Sequence, residues 1–222
     1  NAPHTPFHAP PSNMHSQGNL PTYNNGLDPI PYYMAAIEAM DFQIGRLLDE
    51  IPEDERNNTI IIFIGDNGTP NQVAQSPYST SKVKSTLYQG GVNVPMFISG
   101  NSVSRTGIDN NLITSTDLFA TIAEIAGSST NEINDSKSFK SLLAQSTNIR
   151  DYQYSELADD TDDEWTISNG TYKLIVNSVG MEELYNLVND PYENNNLLNG
   201  NLSSTEQNAK LELETELINI RN

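Results

Sequence analysis

The chain has no cysteine. That excludes disulfides, cysteine-bound iron–sulfur clusters and an encoded cysteine nucleophile, while leaving the compartment open, since exported proteins also do without cysteine. Long apolar runs are missing as well. The longest, Ile60 to Ile64, falls far short of the ~20 residues that cross a bilayer. Positive charge is scarce: 11 Lys and Arg stand against 29 Asp and Glu in 222 residues, a net charge of −18. Phosphate neutralisation needs clustered Lys and Arg, and an anionic membrane surface repels such a chain. The composition therefore argues against nucleic acid and membrane as partners. The sequence also lacks a Gly-x-Ser-x-Gly elbow, a P-loop and a dinucleotide fingerprint.

The charge that is present is uneven. Residues 1–111 carry a net −5 and residues 112–222 a net −13, which reads as a solvated acidic face. The chain opens at Asn1 directly into Pro3-His4-Thr5-Pro6-Phe7-His8-Ala9-Pro10-Pro11, with neither an initiator Met nor a signal peptide. This start reads as the middle of a longer polypeptide.

Residues 1–29 have six prolines and no apolar period, which predicts an extended loop. Pro31, with Asp28 just before it, suits a first helical turn. Tyr33, Ile37, Met40, Ile44, Leu47, Leu48 and Ile51 then recur every three or four residues up to Pro52, predicting a helix. Thr59 to Ile64 is β-branched and continuous, the pattern of a strand buried on both faces. Val92 to Ser99 predicts a second core strand, restricted by Pro95. Thr114 to Ala126 predicts a helix, capped by Ser115 or Thr116, with Asp117 in its first turn and Gly127 as its stop. Residues 128–150 read as a connector with a short helix. Asn169-Gly170 between Trp165–Ser168 and Tyr172–Val176 is a hairpin signal. Glu183–Leu187 is a third short strand, and Ser204–Ile220 a final helix.

Few residues carry chemistry. Asp66-Asn67 places two hard oxygen donors where a strand ends, the usual position of ligands in open α/β sheets. Calcium wants six to eight oxygens, so any such site needs ligands from elsewhere; taken alone, Gly65-Asp66-Asn67-Gly68 reads as a turn. His4 and His8 have the i, i+4 spacing of a helical zinc pair, but Pro6, Pro10 and Pro11 forbid the helix. His4 is then either a proton-transfer imidazole on a rigid loop or a plain surface residue. Lys82 and Lys84 form a rare cationic spot, and Lys84 suits either an oxyanion clamp or an ordinary surface lysine. The run Asp159-Asp160-Thr161-Asp162-Asp163-Glu164 fails the EF-hand template, because Trp165 stands where glycine is required.

In order, these pieces resemble the C-terminal part of a sulfatase of the arylsulfatase-like, alkaline-phosphatase superfamily. Pro3–Pro10 is similar to its histidine loop, and Met40–Leu48 to its helix before the metal strand. Phe63–Gly68 is similar to its strand and metal-ligand pair. Lys84–Gly91 with Val92–Met96 matches its lysine segment and next strand, and Thr116–Ile122 with Ala126-Gly127 the following helix. Glu183–Leu187, Asp190-Pro191 and Asn195-Asn196-Leu197 match its C-terminal motif.

The resemblance implies an α/β chain: part of an alkaline-phosphatase-like mixed-sheet sandwich over residues 1–149, then a small antiparallel sheet with a C-terminal helix over residues 150–222. It implies a sulfuric-ester hydrolase in which Asp66 and Asn67 bind calcium, Lys84 contacts the sulfate oxygens, and His4 binds the ester and protonates the leaving oxygen. His8 falls at the substrate rim. The family's nucleophile is a formylglycine made in a Cys/Ser-x-Pro-x-Arg motif, absent from this chain. The expectation is a fragment, inactive by itself, whose nucleophile and remaining calcium ligands lie in a missing N-terminal half. A small-molecule or carbohydrate sulfate ester is the expected substrate, the periplasm or the exterior the expected compartment, and self-association through exposed sheet edges an expected consequence. The alternatives are a phosphatase or phosphodiesterase of the same superfamily, and a non-catalytic binding module that keeps the fold.

Overall fold

A computed structural model describes residues 3–128, 134–158 and 163–222. Residues 159–162 of the acidic run lie outside the described residues, and Glu164 opens a strand. Proline and glycine frame the first half. Helix α1 spans Ile30–Asp49, with Pro31 inside its first turn, where no intrahelical N–H bond is lost. The Asp28 carboxylate accepts from the Ile30 N–H at 3.0 Å. The face of α1 that is fully buried is small: Ala35, Ala36 and Ala39 with Tyr32. The bulky stripe expected to be core is only half covered, and Leu47 is exposed. The leading segment is loop as expected, apart from a 3-10 turn at Ser12–Met14. It is pinned by Phe7, which packs with Tyr23, Tyr32 and Val73.

After Pro52 and the single turn α2 (Glu53–Arg56), strand β1 runs Ile60–Ile64. One more turn, α3 (Gln89–Val92), precedes strand β2 (Met96–Gly100). The two strands pair antiparallel, Ile62 opposite Ile98. Continuous branching in β1 predicts burial on both faces, yet every residue of β1 is only half-buried. Among the described residues β2 is its sole strand partner, so both outer edges of the pair are open. Pro95 keeps the second strand from starting at Val92, and its carbonyl instead accepts from the Gly65 N–H at 2.9 Å.

Helix α4 covers Asp117–Ile125 and stops at Gly127, whose φ of +76° is costly for any other residue. Thr116 sits at the N-cap without a side-chain capping bond, its hydroxyl paired with that of Thr114 at 2.7 Å instead. Asp117 does more than favour the helix dipole. It is fully buried, accepts from the Thr114 and Lys137 N–H groups at 2.8 and 2.7 Å, and holds Arg150 through Nε at 2.8 Å and Nη2 at 2.5 Å. This pair ties α4 to the start of the C-terminal sheet. The connector carries the expected short helix as a 3-10 turn at Lys140–Leu143.

Four antiparallel strands follow in the order β3 (Gln153–Leu157), β4 (Glu164–Ser168), β5 (Tyr172–Asn177) and β6 (Glu182–Asn186). Strand β3 was not expected; its sequence, Gln-Tyr-Ser-Glu-Leu, has weak alternation. The β4–β5 turn is the Asn169-Gly170 hairpin, with Gly170 at φ +84° and the Asn169 side chain accepting from the Thr171 and Tyr172 N–H groups. Helix α5 (Ser204–Arg221) begins in a full capping box between Ser203 and Glu206.

Alternation along the sheet sorts its two faces. Ile167, Leu174 and Leu184 turn to α5, where Leu213 and Leu217 meet them. Ile175 and Tyr185, one residue out of phase, pack with Leu87, Tyr88 and Val92. The lysine-bearing segment is thus the lid on the second face of the C-terminal sheet.

Candidate active site

Asp66 and Asn67 lie just past the carboxyl end of β1, and both are exposed. Just beyond them Gly68 lies against another stretch of main chain. The Gly68 N–H donates to the Gly91 carbonyl at 3.1 Å, and a Cβ at Gly68 would stand 2.0 Å from the Gly90 oxygen. One residue on, the Thr69 carbonyl accepts from the Lys84 N–H at 3.1 Å. The acid–amide pair and the lysine segment, 17 residues apart in sequence, are therefore locked together by main-chain contacts.

Lys84 stands between buried Val83 and Leu87. It is half-buried, and its ammonium has no hydrogen-bond or ion-pair partner among the described residues. A cation held this way in a chain of net charge −18 is suited to an anionic ligand.

The histidine loop is tied to the same region less directly. His4 lies three residues before Phe7, which packs against Val73 from the stretch after Thr69. The His4 ring is exposed, and its Nδ1 lies 2.6 Å from the Thr5 carbonyl. A carbonyl only accepts, so Nδ1 carries a proton, and Nε2 is the nitrogen free to exchange one. His8 makes a longer contact, Nδ1 to the Pro6 carbonyl at 3.3 Å. It lines a shallow apolar groove on α1 with Met14, Ala36, Met40, Ile44 and Leu47, a groove that Asp66, Asn67 and Lys84 do not line.

The donor set bears on the metal that the resemblance implies. Asp66 and Asn67 offer two hard oxygens, the right chemistry for calcium but a fraction of its shell. Among the described residues no three His, Cys, Asp or Glu side chains gather as a metal site. The pair fits one side of a calcium shell that needs further ligands.

Beneath the lysine segment lies a polar cluster that sequence reasoning missed. The Lys82 ammonium donates to the Tyr185 hydroxyl at 3.1 Å and to the Glu193 carbonyl, and stands over the Tyr88 and Tyr185 rings at 4.4 and 4.8 Å. Both tyrosine hydroxyls donate to Glu183 Oε2 at 2.6 Å. Burial first, then the bond to Glu183, keeps these hydroxyls protonated far above the usual range. Lys173 and Glu193 are buried together, Nζ to Oε1 2.8 Å, an attraction of charges without a directed hydrogen bond. Burial pushes the Lys173 ammonium down, Glu193 opposes it, and Lys82 adds to the lowering. One sign was legible: Lys173 occupies an inward position of β5, in phase with Ile175.

Comparison with known proteins agrees with this architecture. Residues 1–128 match the family model described as sulfatase, and residues 83–222 match N-sulphoglucosamine sulphohydrolase, C-terminal. A sulfatase of Formosa agariphila is 30% identical over 220 residues, covering 83% of this chain and 38% of that protein. Two solved structures share the fold. Ps i-CgsB in complex with k-i-k-neocarrahexaose superposes with a TM-score of 0.76 at 22% identity, over 99% of this chain and 48% of that one. BT4656, in complex with its substrate D-glucosamine-2-N,6-O-disulfate, gives 0.71 at 22% identity, over 86% and 40%. The chain thus spans less than half the length of each of these relatives. With a family model matched across more than half its residues and the motif segments in their expected order, the chain belongs to the sulfatase family.

Proposed function

We propose that these 222 residues form the C-terminal portion of a sulfatase that hydrolyses a carbohydrate sulfate ester. Asp66 and Asn67 supply two ligands of a calcium ion. Lys84 contacts the sulfuryl oxygens, and His4 delivers a proton to the leaving oxygen. The remaining calcium ligands and the formylglycine belong to sequence outside this chain, and the chain alone is inactive. The carrying observation is half-buried Lys84, whose ammonium has no partner among the described residues, on a segment hydrogen-bonded to the Asp66-Asn67 loop. The carbohydrate class rests on the ligands named for BT4656 and Ps i-CgsB.

The division of labour follows from the charges. A sulfate monoester presents anionic oxygens, and breaking its S–O bond leaves negative charge on the departing oxygen. Bound calcium would neutralise part of the charge on the sulfuryl group. Lys84 would offer its positive charge to an anionic oxygen. His4 Nε2–H, with Nδ1–H fixed on the Thr5 carbonyl, protonates the leaving alcohol.

The experiment uses the full-length protein. Lys84→Ala lowers kcat/KM for a sulfate ester at least 100-fold with the melting temperature unchanged, and Asp66→Ala weakens calcium affinity and activity together. Wild-type kinetics in Lys84→Ala removes that residue from the site. Faster turnover of the matching phosphate ester moves the protein to the phosphatase class, and no turnover of either makes it a binding module.

A further inference from the structure

Glu193 has no part in the chemistry above, yet it is almost fully buried and held at both its side chain and its main chain. It is 1% exposed and sits in the left-handed region, φ +56°, which few residues other than glycine adopt. Its carboxylate Oε2 accepts from the Gln89 N–H at 2.5 Å, and Oε1 faces Lys173. Its own carbonyl accepts from Lys82. The turn that presents it is self-braced: the Asp190 carboxylate accepts from the Asn194 and Asn195 N–H groups, and the Asp190 carbonyl from the Glu193 N–H. The neighbouring Tyr192 ring meets Tyr78 edge-on at 4.9 Å.

These contacts grip the lysine segment on both sides of Lys84, at Lys82 and at Gln89. Stability alone is a poor reason for them. A buried ion pair gives little over a well-packed apolar pair of the same size, because desolvating two charges offsets their attraction. What such a pair supplies is geometry. The cluster below pairs Lys173 with Glu193 and, through Tyr185, Lys82 with Glu183, and Lys84 takes no part in it.

We propose that Glu193 is a positioning residue: by clasping Gln89 with its carboxylate and Lys82 with its carbonyl, it fixes where Lys84 stands beside the Asp66-Asn67 loop. The proposal rests on the role given to Lys84 under the proposed function.

Two double variants of the full-length protein separate the clasp from the buried charge. Lys173→Met with Glu193→Gln removes both charges and keeps an oxygen for the Gln89 N–H. Lys173→Met with Glu193→Ala also removes the side-chain oxygen that holds Gln89, leaving only the main-chain carbonyl on Lys82. The glutamine form stays within threefold of wild-type kcat/KM for the sulfate ester, while the alanine form falls at least tenfold. In a Lys84→Ala background the two differ by less than twofold, because nothing remains to be positioned. An equal gap in both backgrounds overturns the action through Lys84. Amide exchange reads the clasp without activity: in the alanine form residues 82–91 exchange at least tenfold faster than in the glutamine form, while β3–β6 are unchanged. Equal exchange overturns the clasp. If the wild-type protein turns over no sulfate ester while the exchange difference holds, the functional reading fails and the clasp stands.

Discussion

The two sheets of this molecule are built on opposite terms. The β3–β6 sheet is covered on both faces, by α5 and by residues 82–92, and its central residues Ile167, Leu174 and Leu184 are fully buried. The β1–β2 pair is richer in isoleucine but half-covered, with Phe97 two-thirds exposed. Apolar content therefore does not decide burial here. What decides it is which elements pack against each sheet. The C-terminal sheet has its partners nearby in the chain, whereas among the described residues the β1–β2 pair has no further strand neighbour and leaves Phe97 uncovered.

That contrast can be broken or sharpened by substitution. The largest effect is expected where the halves are tied. Asp117→Ala leaves the Arg150 guanidinium without its buried carboxylate and lowers stability by about 3–5 kcal/mol, read by urea unfolding; a loss under 1 kcal/mol would make the tie ornamental. Next, Leu213→Ala empties a fully buried site between α5 and the sheet and costs about 3 kcal/mol. Ile62→Ala in half-buried β1 costs about 1 kcal/mol by the same measurement. If the two come out equal, the β1–β2 pair is covered in solution, by self-association or otherwise, and sedimentation at rising concentration identifies which.

The smallest effect is one of pH. Burial by itself would raise the Asp117 carboxyl. The Arg150 hydrogen bonds and the Lys137 and Thr114 N–H groups outweigh it and hold the carboxyl below the usual range. Its contribution is then present above pH ~4, the unfolded value, and is lost as pH falls through the lower folded value. The stability gap between wild type and Asp117→Asn is accordingly flat near neutrality and narrows below about pH 4. A gap that widens on acidification would reverse the sign assigned here.

The sequence was most legible where one local rule acts alone. Asn169-Gly170 names its hairpin, Pro31 and Pro52 bracket α1, and Gly127 ends α4, because each depends on backbone geometry within a few residues. It was least legible where distant residues meet. Ile60–Ile64 reads as interior because branching reports strand propensity and not the number of neighbours. Asp117 reads as a helix-start acid because Arg150 is 33 residues away. The Lys173–Glu193 pair leaves only the hint of a lysine in phase with inward isoleucine. Of the candidate site, the motif order made Asp66, Asn67, Lys84 and His4 nameable, whereas the main-chain contact joining the first three is invisible without coordinates.

That contact has its own consequence. Where the Gly68 turn meets Gly90 and Gly91, peptide planes touch with no room for a methyl group. The distance between the acid–amide loop and the lysine strap is set by the thickness of main chain, a length that mutation elsewhere cannot adjust. A single added carbon at position 68 would pry the two apart.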